Sequence, residues 1–225
     1  MKERYTRYPR PILWLVPGGE TRIGGAEGDA RPPFRVEVAP FYLSKFPVTN
    51  QQFEAFDPGH ERSAISSGET DPVVGLSWYE AEEYCRWYAK VSRKPIRLPT
   101  EVEWEHACRA GSEGRFPFGD DPEEADLYLW DAENSAGFLR RAEQKKANGF
   151  GLFGMLGGVW EWTASPYRSY PLEEPSKDTE EEEPRVLRGG SFRTPRENIS
   201  CSLRLGRKPS EVVPESGFRI AKSLR

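Results

Sequence analysis

The 225-residue chain is poor in the residues from which metal centres and disulfide frameworks are built: it has two His, three Cys and two Met. His60 and His106 meet no metal spacing, because HExxH, CxxC and His-x-His are all missing, and a histidine-held metal is therefore not expected. An odd number of widely spaced cysteines predicts reduced thiols rather than a disulfide framework. Long apolar runs are missing too. Ile12 to Val16 is stopped by Pro17-Gly18-Gly19 and falls far short of a signal h-region or a membrane span, so a cytoplasmic location and no membrane contact are expected. Positive charge is not in surplus: the formal net charge is −4, and no Lys/Arg cluster interleaves with aromatics, which argues against nucleic acid as a partner. GxSxG, a Walker loop and GxGxxG before a helix are likewise lacking, which removes the usual support for a serine hydrolase, a phosphate loop or a dinucleotide site.

What the chain does have is aromatic residues, 12% of the total with seven Trp, together with 21 Gly and 20 Pro. That mixture reads as one loop-rich domain over 1–225, pinned by large rings. One segment is biased. Residues 173–183 (EEPSKDTEEEE) repel one another and have nothing to bury, which predicts an acidic, solvated, mobile loop.

Thr49 with Gln52, Ser77 with Glu80 and Thr100 with Glu103 fit the capping-box spacing and predict helix starts. The second of these helices lines up Ala81, Tyr84, Cys85 and Tyr88 on one stripe, so Cys85 reads as core. The third carries Val102, Trp104, Ala107 and Cys108 toward a stop at Gly111. Short strands are predicted at Ile12 to Val16, Arg35 to Val38, Phe41 to Ser44, Val159 to Thr163, Arg185 to Leu187 and Phe218 to Lys222. Few helices and many short strands make an α+β domain. Asp120, Asp121, Glu123 and Glu124 read as a solvated loop, and the glycines of 148–154 and 157–158 as places where backbone passes beneath rings or turns at positive φ.

Several strings then occur in a telling order: Pro47 to Phe53 (PVTNQQF), Pro72 to Trp78 (PVVGLSW), Arg97 to Glu105 (RLPTEVEWE), Asn148 to Gly154, Gly157 to Trp162 (GGVWEW), Arg188 to Phe192 (RGGSF) and Gly217-Phe218-Arg219. Together they resemble the formylglycine-generating-enzyme/sulfatase-modifying domain, from about Trp14 to Ala221. The resemblance implies a C-type-lectin-like fold in which residues 188–225 form part of an exposed binding face. The family holds oxidases that convert a substrate cysteine to formylglycine, sulfoxide synthases with an additional iron-binding domain, and the variable proteins of diversity-generating retroelements, which only bind; fold alone does not choose among them.

The oxidase branch implies two thiolates for Cu(I) shortly after RGGSF, where this chain has Cys201 alone, so copper is not expected. Structural calcium is weakened by Gly154 and Gly158, which stand where the family commonly has Asp and Asn; Glu161 remains the side-chain candidate for Ca²⁺. No cofactor is expected. The spacing after Phe192 resembles that of the variable proteins, and Arg193, Thr194, Leu203, Leu205, Gly206, Arg207 and Val213 are residue types that substitution at adenines of an AAC codon can reach, whereas Glu211 and Glu215 are not. The expected function is non-catalytic binding of a protein or other macromolecular ligand through Arg193, Thr194, Arg196, Leu203, Leu205, Gly206, Arg207 and Val213, on a surface that is either diversified or an ordinary family face. The alternative is a formylglycine-generating-type copper oxidase acting on a cysteine of a sulfatase-like substrate.

Overall fold

The structure, a computed structural model, describes residues 8–26, 28–171 and 182–224. Three capping boxes set the helices. In α1 (Asn50–Glu54) the Thr49 N–H donates to Gln52 Oε1 at 3.0 Å. In α2 (Trp78–Ser92) the Ser77 hydroxyl accepts from the Glu80 N–H, and in α3 (Glu101–Arg109) the Thr100 hydroxyl accepts from the Glu103 N–H. Each bond satisfies an amide that the first helical turn would otherwise leave open. The α3 helix ends at Ala110, which is left-handed at φ 50°, followed by Gly111 at φ 90°. A fourth helix, α4, is a single turn at Ala125–Tyr128.

The strands are short and lie in three sheets. β1 (Leu13–Val16), β4 (Phe41–Ser44), β10 (Ala221–Ser223) and β5 (Ile96–Arg97) form one, in the order β1-β4-β10-β5. β2 (Gly19–Ile23) and β3 (Phe34–Val38) form a separate antiparallel ribbon. The third sheet has the order β8-β7-β6-β9, from β6 (Trp160–Pro166), β7 (Arg185–Arg188), β8 (Arg204–Arg207) and β9 (Ser216–Phe218), with β6 and β9 parallel. The fold is α+β. The strand expected over Phe218 to Lys222 is two strands in two sheets: the chain leaves β9 at Phe218, passes the buried Arg219 and Ile220, and enters β10 at Ala221. A single sheet could not take both halves, because Phe218 packs into the core under α2 while Ala221 packs into the core beside α3.

One core is built on α3 and the other on α2. One joins Trp104, Ala107 and Cys108 to Phe41, Leu43, Ile199 and Cys201. The other buries the predicted α2 stripe, Ala81, Tyr84, Cys85 and Tyr88, against Phe53, Trp162, Leu187 and Phe218. Of the expected acidic loop, residues 173–181 lie outside the described residues, while Glu183 pairs with Arg168 and Glu182 accepts from Ser210. Among the described residues no helix is long and apolar enough to cross a membrane.

Candidate functional site

The segment from Arg188 to Arg219 leaves the β6–β7 sheet, crosses the surface and returns, and three buried arginines fix its course. Arg188, at the end of β7, donates to the Glu105 carboxylate and to the Leu203 carbonyl at 2.7 Å. Arg204, at the start of β8, grips Glu101 with Nε and Nη2 at 2.8 and 3.0 Å and the Arg168 carbonyl with Nη1 at 2.8 Å. Arg219 holds Glu161 with two bonds of 2.7 Å. All three guanidiniums are buried. Buried charges persist only when paired and hydrogen-bonded, so these bonds fix the segment where each Arg sits. Arg109 completes the cluster through Glu105 Oε1, at 2.9 and 2.7 Å. Tyr170 packs against Arg204; burial pushes its hydroxyl well up, and that oxygen has no hydrogen-bond partner among the described residues.

The predicted contact residues fall on both sides of this segment. Arg193 is exposed, lies over the Phe192 ring and pairs with Glu215 at 2.6 Å. Arg207, at the far end of β8, pairs with Glu211 at 3.2 Å and is half-exposed. The Thr194 hydroxyl accepts the Ser191 N–H at 2.9 Å and shapes the turn after Phe192. Arg196 is a clamp: its Nε donates to Asp131 at 2.6 Å, its Nη2 reaches Asp126 in α4, and its backbone N–H donates to the Glu133 carboxylate, so its cation is committed to α4 and the turn after it. Leu205 and Val213 pack at the margin of the α2 core. Gly206 lies beneath Tyr167, where a Cβ would come within 2.6 Å of the ring. Period-two alternation explains the split within β8, since Arg204 takes the face toward α3 and Leu205 must take the other.

Leu203 borders a feature the sequence did not reveal. An open groove of about 700 Å³ runs between the 24–30 connection of the β2–β3 ribbon, the 113–120 loop and residues 197–204. Arg115 ties two of these walls, donating to the carbonyls of Ile199 at 2.9 Å and Arg196 at 3.0 Å. Arg109 does the same for the third, reaching the Gly24 and Gly114 carbonyls. Arg22, Asp29, Glu113 and Asp120 also line the groove; they are scattered through the chain, and no local pattern brings them together.

Neither implied metal fits the residues present. Both Glu161 oxygens are taken by Arg219, and Oε2 also accepts the Trp104 Nε1–H at 2.7 Å, so a guanidinium stands where Ca²⁺ would need to be; the Gly154 carbonyl is also taken by Arg219. Cys201 does have a thiol neighbour, since Cys108 lies with its sulfur 3.6 Å away, but both cysteines are fully buried in the core beside α3. Burial pushes the Cys108 thiol well up, and no face of the pair is open to a substrate. The His106 Nε2–H donates to the Pro17 carbonyl at 2.8 Å and the ring packs against Phe150, a structural position. Among the described residues no group of three or more His, Cys, Asp or Glu could hold a metal ion.

The profile of the sulfatase-modifying factor enzyme 1-like domain matches residues 2–224. The serine/threonine-protein kinase pkn1 of Chlamydia pneumoniae is 32% identical over 254 residues, an alignment covering 96% of this chain and 39% of that protein. The chain spans about two fifths of the length of the kinases of that name that it matches. The inactive C-alpha-formylglycine-generating enzyme 2 of Bos taurus is 27% identical over 277 residues, covering 92% of this chain and 86% of that protein. Among solved structures, the Treponema denticola variable protein 1 superposes with a TM-score of 0.83 at 19% identity, covering 94% of each chain.

Proposed function

The chain belongs to the sulfatase-modifying factor enzyme 1-like domain family, and from that premise we propose that it is a non-catalytic binding module whose 193–215 surface recognises a protein partner. One observation carries the reading. Inward-facing cations of this segment are consumed by buried scaffold carboxylates, Arg188 by Glu105, Arg204 by Glu101 and Arg219 by Glu161, whereas Arg193, Pro195, Glu197, Asn198, Lys208, Glu211, Val212 and Pro214 face solvent. A face fixed at its anchor points and free between them is preorganised, so association costs little ordering entropy, and Arg is a residue type enriched at binding hot spots. Exchange of the outward residues changes recognition without touching the core.

A protein suits this face better than nucleic acid, because the groove beside it alternates Arg22 and Arg115 with Asp29, Glu113 and Asp120 and offers no continuous basic track. The bovine relative, an inactive C-alpha-formylglycine-generating enzyme 2 by name, supports a non-catalytic member of similar extent. Operation in the cytoplasm with reduced thiols belongs to the same reading. In this reading Arg193 and Arg207 make the contact together with Pro195, Glu197 and Val212, and Leu205, Val213 and the Arg196 guanidinium serve as support.

The rival reading, a copper oxidase centred on Cys201, needs a thiol that a substrate cysteine can approach. The test is to supply the reduced protein with Cu(I), O₂ and a cysteine-containing peptide and to follow the peptide by mass spectrometry. Unchanged peptide is the expected result; conversion of its cysteine to formylglycine, lost in Cys201→Ser, would overturn the proposal.

A further inference from the structure

We propose that β1 is a self-pairing edge through which two copies of this chain join as an antiparallel dimer. β1 stands at the end of its sheet, and among the described residues no strand lies beyond it. The Lys45 N–H donates to the Ile12 carbonyl at 2.8 Å, and the register continues with Leu13 opposite Ser44 and Trp14 opposite Leu43. Hydrogen-bonded positions alternate along an antiparallel ladder, so Ile12, Trp14 and Val16 turn their backbone groups to β4. Leu13 and Leu15 turn theirs outward, where they meet no partner among the described residues.

The side chains of this edge are apolar as well. Ile12, Trp14 and Leu15 are 56, 42 and 49% exposed, the densest run of exposed large apolar side chains among the described residues. Edge strands are ordinarily blunted by a charge or a proline. β1 has neither inside it, and Pro11 and Pro17 stand only at its borders.

A second copy fits this edge by symmetry. With Trp14 opposite the partner's Trp14, Leu13 faces the partner's Leu15 and Leu15 faces the partner's Leu13, so the outward amides and carbonyls meet in hydrogen-bonded pairs. The two Trp14 residues then take the closer, non-hydrogen-bonded position, where cross-strand aromatic pairs stabilise a sheet. Charge agrees with this register. It sets Arg10, exposed and without an ion pair among the described residues, opposite the partner's Gly18. That corner carries Glu37, which is exposed and adjoins Val38, the residue opposite Gly19. Arg35 neutralises Glu20 across the ribbon, whereas Glu37 has no ion pair among the described residues. Each copy therefore offers an unpaired cation at the start of β1 and an unpaired anion beyond its end. An antiparallel copy matches both, and a parallel copy matches neither. Two-fold pairing uses up both free edges, so assembly stops at the dimer. The contact is one strand wide and falls below the roughly 1,600 Å² of a standard interface, which makes the dimer weak and reversible. None of these residues belongs to 193–215, so the inference stands apart from the proposed partner face.

Sedimentation equilibrium of the full reduced chain between about 5 and 500 µM is expected to show a reversible monomer–dimer equilibrium. Leu15→Pro removes an outward N–H and no bond to β4, and should weaken dimerisation about tenfold or more with little change in Tm. Arg10→Glu should also weaken it, and Arg10→Glu/Glu37→Arg should restore it. Mild oxidation with oxidised glutathione should cross-link Trp14→Cys into a covalent dimer, because the facing Cα atoms lie about 4.5 Å apart. Leu15→Cys, which does not face its own copy, should stay uncross-linked, and the three native thiols are buried. A monomer throughout, growth beyond the dimer, Leu15→Pro pairing as wild type does, a charge swap that restores nothing, or Leu15→Cys cross-linking as readily as Trp14→Cys would each overturn the inference. Because wild-type sedimentation and the charge swap decide the matter, a Trp14→Cys variant that fails to fold leaves the test intact.

Discussion

Replacing Arg219 with Leu removes the cation from a fully enclosed pair. Glu161 keeps only the Trp104 Nε1–H, and the carbonyls of Ser44, Phe153 and Gly154 lose the donors that Arg219 supplies at 3.1 Å. Breaking a buried ion pair from one side costs about 3–5 kcal/mol, and the orphaned carbonyls push the value toward the upper end. For a domain of this size that corresponds to a Tm loss of roughly 6–20 °C. The carboxylate's share is separable. In the double variant Arg219→Leu/Glu161→Gln the same carbonyls are orphaned but no unpaired charge is buried, so it should recover about 1 kcal/mol or more relative to the single variant. Urea unfolding followed by tryptophan fluorescence measures both. A single variant within about 1 kcal/mol of wild type, or a double variant less stable than the single, would refute the assignment of Glu161 as a structural partner. Added Ca²⁺ should leave wild-type Tm unchanged, because the guanidinium already occupies the site.

Other expectations follow from the same geometry. Gly157 sits at φ 67° where a Cβ would collide with the Trp130 carbonyl; Gly157→Ala should cost roughly 3 kcal/mol in denaturant unfolding. The pair Arg193→Ala/Arg207→Ala removes only exposed ion pairs and should shift stability by less than about 1 kcal/mol by the same assay. Asp126 is held below the usual carboxylate range by the Asn134 amide and by Arg196. Its folded value lies under its unfolded one, so the stabilisation is complete at neutral pH and is lost as pH falls below about 4. Thermal melts of Asp126→Asn should therefore be less stable than wild type at pH 7 and converge with it at the acid end.

Local signals in the chain were enough for the helices, because a capping box is four residues long and its chemistry is complete within it. The β4 strand at Phe41–Ser44 was legible for the same reason, with proline and lysine at its borders. The β2 and β8 strands were not. In β8 the sequence Arg-Leu-Gly-Arg carries no alternation of polarity, and its inward face is chosen by Glu101, a residue 103 positions away. That choice decides which predicted contacts are surface. Leu205, expected as a contact, also packs at the margin of the α2 core, and Arg196, expected as a contact, clamps Asp131 and Asp126, because the groups each of them meets lie far away in the sequence. The neighbour of Cys201 was hidden likewise: Cys108 reads as a helix core residue on its own stripe, and only the packing of α3 against residues 199–201 brings the thiols together.

The central claim is that the outward residues of 193–215 recognise a protein while the scaffold beneath them stays fixed. The direct measurement is quantitative mass spectrometry of proteins retained by the immobilised wild-type chain and by the variant Arg193→Ala/Glu197→Ala/Arg207→Ala/Val212→Ala, from the same cell extract and with Tm measured for both. The account predicts a retained protein that the variant loses at unchanged Tm; equal retention by both chains, or loss explained by a collapsed Tm, contradicts it.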